Sequence, residues 1–119
     1  RGEVIVFHSG HGSDYIKRVI ALPGETVEVT GDAVYVNGHR LSEPYLQAAL
    51  DRAAASGRTY NTKDYSGRVV PERHVFVLGD NRPNSHDSRD IGFIPYDQIV
   101  GRADVVIWPL NNIRFIAHH

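Results

Sequence analysis

Short runs of β-branched and aromatic residues, each broken within a few positions by Gly, Asn, Asp or Pro, make an all-β antiparallel architecture the reading that fits this chain. The runs predict strands over Glu3–His8, Tyr15–Ala21, Thr26–Thr30, Ala33–Val36, His74–Leu78, Gln98–Ile107 and Ile113–Ile116. The separators agree. Gly31-Asp32 and Asn37-Gly38 are pairs that close two-residue hairpins, so TVEVTGDAVYVNGHRL reads as an antiparallel ribbon with VEV and VYV alternating faces. Pro23-Gly24 marks another turn. The one helical candidate is Pro44–Ser56, with Pro suited to a first turn, Ala and Leu through its length and Gly57 as a stop. Arg58–Arg68 reads as a surface hairpin or loop, so residues 44–68 form a small excursion, a short helix or loop, from a sheet body that is a meander or partly open barrel.

Composition then limits function. A chain of 119 residues fits one domain, residues 1–119, and is long enough to bury a core without disulfides or metals. Thirteen Lys and Arg against fourteen Asp and Glu give a net charge of −1, so no basic field draws nucleic acid. With no Cys there are no thiol nucleophiles, disulfides or cysteine-bound zinc. The longest apolar runs, such as VVIWPL, are far short of the roughly 20 residues of a spanning helix. The opening RGEVIVF starts almost directly in a strand and without Met, as expected of a piece of something longer or a processed product; His118-His119 reads as the start of a purification tag.

Two places can carry chemistry. Lys17 lies in the apolar strand DYIKRVIALPGE, where it either points to solvent or loses hydration. Tuning a lysine to serve as a general base costs about 4 kcal/mol of solvation, which folds rarely tolerate without a function. Strand alternation turns Lys17 and Arg18 to opposite faces, and the same pair also fits two surface cations on an edge strand. The second place is GDNRPNSHDSRDIGF, residues 79–93. Asp80, Asn81, Asn84 and Ser85 can bond local backbone, and Asp87 can pair with Arg89, so the stretch fits a rigid polar turn or a site loop. His8 and His11 in a Gly/Ser loop, with His39, His74 and His86 scattered, do not make the three or four converging ligands of a zinc site. His86 and Asp87 are adjacent, a poor arrangement for a Ser-His-Asp triad.

YIKRVIALPGE, GDNRPNSHDSRDIGFIP and IVGRA, in that order, resemble the type I signal peptidase family, membrane-bound serine proteases with a Ser-Lys dyad. RGEVIVF is similar to the family's "R-G-D-V-V-V-F" strand, and VYVNGHRLSEPY to its "V-x-V-N-G-x-x-L-x-E-P-Y" ribbon. The resemblance implies an all-β fold of the signal peptidase I type with no cofactor and no metal. It makes Lys17 the general base and Ser85 the hydroxyl that orients it, with Asp80 paired to Arg18 and Asp87 to Arg89 to hold the loop. It places Tyr15 and Ile16 in shallow apolar pockets for small side chains of the substrate, a signal peptide of an exported preprotein lying extended against the strand. It implies a parent enzyme at the bacterial plasma membrane with its catalytic domain on the extracytoplasmic side, where Trp108 is either a membrane contact or plain core.

The sequence departs from the family at one decisive point. The family's nucleophile stands in a "S-M-x-P-T" motif upstream of the RGEVIVF strand, and nothing here matches it. Ser13 stands four residues before Lys17, not the three of a helical S-x-x-K dyad, and Ser9 shares its loop. Pro83 replaces a frequent acid, and Asp90-Ile91 frequent aromatics. The expectation is a catalytic-domain fragment without its own nucleophile. Two other readings stay open: a non-catalytic homologue that binds peptides along its sheet edge, and a self-cleaving repressor-like Ser-Lys protease, which the absence of a DNA-binding segment disfavours.

Overall fold

The computed structural model describes residues 2–8 and 14–102. Among them β1 (Val4–His8), β2 (Asp14–Ala21), β6 (His74–Leu78), β7 (Ile94–Pro95) and β8 (Ile99–Arg102) form an antiparallel sheet in the order β7-β6-β2-β1-β8. A second sheet holds β3 (Val27–Thr30), β4 (Ala33–Val36) and β5 (His39–Arg40), in sequence order. Neither sheet closes into a barrel among the described residues. The Gly31-Asp32 turn joins β3 to β4, and Asn37-Gly38 joins β4 to β5 with both residues at positive φ (53° and 80°), the conformation such a tight hairpin turn requires.

The five-stranded sheet separates two cores. In register, Ile5 faces Lys17, Phe7 faces Tyr15 and Val19 faces Val77, so these side chains share one surface with Val75 and Ile94. Ile20, Phe76 and Leu78 point the other way, toward Val27, Val29, Val34, Val36 and Val70. Strand β6 is therefore apolar without alternation, because both of its faces are covered. Phe76 anchors the second core, with the rings of Tyr65 at 4.8 Å and Phe93 at 6.1 Å.

The helix predicted over Pro44–Ser56 is a 3₁₀ turn at Pro44–Leu46 that runs into α1 (Gln47–Ala55), closed by Gly57 at φ 75°. After it the chain returns to the ribbon as a strap, where Tyr65 bridges Val29. A short helix, α2 (Ser88–Ile91), follows β6 within the polar loop. Of the predicted strand Gln98–Ile107, residues 99–102 are strand and Gln98 instead ends a 3₁₀ turn over Tyr96–Gln98; residues 103–107 lie outside the described residues, as do Ile113–Ile116, Ser9, Ser13 and Trp108.

Candidate active site

Alternation along β2 assigns its two cations to different faces. The Lys17 amine donates to the Ser85 hydroxyl at 3.1 Å, beside the Tyr15 ring, whose centroid is 5.6 Å away. Burial lowers the Lys17 amine below the usual lysine range; the Asp87 carboxylate opposes that, and the charges of Arg89 and Lys63 reinforce it. Ser85 is buried, and its hydroxyl also supports the charged form of Asp87.

Asp87 has no exposed surface. Burial alone would push its carboxyl up, but two N–H donors of the Arg89 side chain at 2.9 and 2.8 Å, the Gly79 N–H at 3.0 Å and Ser85 outweigh it and hold the group below its ordinary value. Asp87 also caps α2 in a capping box with Asp90. The remaining Arg89 donors reach Asn61 Oδ1 (2.6 Å), the Lys63 carbonyl (3.0 Å) and the Arg82 carbonyl (3.0 Å).

On the opposite face Arg18 makes a bidentate pair with Asp80, at 2.9 and 2.7 Å, and its guanidinium lies 3.7 Å from the centre of the Tyr45 ring. Tyr45 donates to Glu43, and Glu43 pairs at 2.6 Å with Arg82 in a contact nearly closed to solvent. Arg82 Nε then donates to the Gly79 carbonyl at 2.7 Å. The loop is thus braced from both sides of the sheet.

Gly79 is where the braces converge. Its backbone is not in the positive-φ region, so glycine is needed for space. A Cβ there would stand 2.0 Å from Ser85 Oγ and 3.2 Å from Lys17 Nζ.

Tyr15, Ile16 and Lys17 line an open depression of about 500 Å³ with Asp14, Asn84 and His86. Ile16 is 45% exposed, and Tyr15 packs edge-on against Phe7 and His86. Strand β6 pairs with β2 only from Arg18 onward. Among the described residues no strand covers the Tyr15–Lys17 edge on that side, and an extended peptide can add there.

The structure brings together Lys17, Ser85, Asp87 and Arg89, with Tyr15 and Ile16 at the mouth and Arg18 and Asp80 behind. Sequence reasoning gave no role to Glu43, Tyr45, Asn61, Lys63, Gly79 or Arg82. The signal for Glu43 and Tyr45 was the SEPY string, which stands in the ribbon motif that carries part of the resemblance. Asn61 was read as surface and is buried.

Two antiparallel sheets thus set a partly desolvated lysine against a hydroxyl beside an open strand edge. Residues 1–108 match the family described as "Signal peptidase, peptidase S26", and the chain belongs to that family. It is 43% identical over 115 residues to signal peptidase I S of Bacillus subtilis (strain 168), covering 96% of this chain and 62% of that protein. It is 40% identical over 122 residues to signal peptidase IB of Staphylococcus aureus (strain MRSA252), covering 97% and 64%. The chain therefore spans a little over three-fifths of these relatives' length. A crystal structure of a signal peptidase I from Enterococcus faecalis V583 superposes with a TM-score of 0.76 at 41% identity, covering 86% of this chain and 93% of that one.

Proposed function

We propose that this chain supplies the general base, the loop that aims it and the peptide-binding edge of a type I signal peptidase, which removes signal peptides from exported preproteins by acyl transfer. The observation that carries the reading is the Lys17–Ser85 contact in a partly dry site beside an uncovered strand edge. A serine hydroxyl attacks the scissile carbonyl while the neutral Lys17 amine takes its proton. The ammonium so formed returns the proton to the departing amine. Lys17 then deprotonates the water that hydrolyses the ester, and the serine is regenerated.

Ser85 does not fit the role of attacking serine. It is buried beneath Gly79, and its hydroxyl is engaged by Lys17 and Asp87. Ser88 is buried too, and its hydroxyl oxygen accepts from Val77 N at 2.9 Å. We place the nucleophile outside the described residues. Among those residues no helix is long and apolar enough to cross a membrane. The family points to a site of action at the extracytoplasmic face of a bacterial plasma membrane.

The test is precursor processing by a longer protein that carries this chain. Lys17→Ala should lower turnover at least about 10²-fold, the scale of a lost general base. Unchanged turnover would remove Lys17 from that role, and no turnover by the wild-type protein would favour a peptide-binding homologue.

A further inference from the structure

We propose that Lys63 is a positioning residue of this site, one that seats the Ser85 backbone and sets the charge that Lys17 faces. The inference deepens the peptidase reading and rests on it.

The geometry begins at the ribbon turn. Asp32 accepts from the backbone N–H groups of Tyr60 and Asn61, and Asp64 accepts from Gly31 N. Asn61 ties the knot: its amide donates to the Gly31 and Lys63 carbonyls, and its side-chain oxygen accepts from Lys63 N and Arg89. The Lys63 backbone is thus fixed on both sides, and its side chain extends from a rigid mount. The amine donates to the Ser85 carbonyl at 2.6 Å and to Asp90 Oδ2 at 2.7 Å. One cation thereby grips the residue that touches Lys17 and neutralises the nearest carboxylate of α2.

The charges facing Lys17 can be taken element by element. From the polar loop come Asp80, Asp87, Arg89 and the His86 rim, from its own strand Asp14 and the Tyr15 ring, and from the strap Lys63. Arg89 answers Asp87, Arg18 answers Asp80 and Lys63 answers Asp90. Removing Lys63 deletes a like charge that disfavours the Lys17 ammonium and also strips Asp90 of its 2.7 Å cation, leaving it the Asp87 N–H at 3.2 Å and the His86 ring at 3.9 Å. Both changes favour the ammonium, the form that cannot act as base. They work against the burial that lowers Lys17.

The experiment is a titration of Lys17 by NMR in the 119-residue chain with isotope-labelled lysine side chains, the signal assigned by loss in Lys17→Arg. Lys63→Met and Lys63→Gln should both move the Lys17 midpoint upward, and Lys63→Arg should leave it near the wild-type position. Lys63→Gln retains a donor for the Ser85 carbonyl, so it decides the matter alone if Lys63→Met does not fold. A Lys17 midpoint equal in Lys63→Gln and wild type would overturn the proposal. Because no substrate is involved, this result is independent of the Lys17→Ala processing test.

Discussion

Gly79 shows how one residue can be demanded by two others far away in sequence. Lys17 arrives on β2 and Ser85 on the loop after β6, and they meet at 3.1 Å only because the intervening residue has no side chain. Gly79→Ala adds one methyl group at a backbone conformation open to any residue, so the cost falls on packing, about 1–3 kcal/mol. The displacement of Ser85 or Lys17 it forces should lower precursor processing roughly 10²-fold, as misplacements near 1 Å do. Thermal melts and initial rates on the same preparation check this, and full activity in Gly79→Ala would contradict the packing described. At this scale the unusual lysine was legible and the glycine was not. A lysine inside an apolar run announces itself, but a glycine after a strand has the same appearance whether it turns the chain or leaves room.

The polar loop behaves as an element, although it contains only one turn of α-helix. Its fixed point is the buried Asp87–Arg89 pair. Asp87→Asn leaves the Arg89 charge uncompensated and should destabilise the fold by about 3–5 kcal/mol at pH 7. The sign with pH follows from the lowered Asp87 carboxyl. Its contribution is present above the unfolded-state value of about 3.9 and is lost as pH falls through the lower folded value. Urea unfolding should therefore show a gap between wild type and Asp87→Asn that is widest near neutrality and shrinks in acid. A gap constant from pH 7 down to pH 2 would contradict the assignment.

Elements with a period were readable from sequence. The runs at VIVFH, the ribbon with its Gly31-Asp32 and Asn37-Gly38 turns, and HVFVL each carry several residues of pattern. The two-residue strands β5 and β7 and the four-residue α2 are too short for any period to register. The strap at residues 58–68 was taken for a surface loop because polar residues dominate it. Their partners, Asp32 and Arg89, lie 28 or more positions from Asn61, beyond what local pattern can show.

For the whole molecule, the sheet divides the labour. One face carries Lys17 among Phe7, Tyr15 and Val19, and the other carries Arg18 with the Asp80, Tyr45 and Glu43 network that holds the loop from behind. The central claim is that this arrangement lowers the proton affinity of the lysine amine that we propose as the base. It is tested most directly by comparing two curves: the NMR titration of Lys17 and the acidic limb of kcat/KM against pH for a longer protein carrying the chain. The account predicts that the two midpoints coincide and lie below the ordinary lysine value of 10.5. A Lys17 that titrates at 10.5 or above while processing is already at its plateau near neutral pH would contradict it.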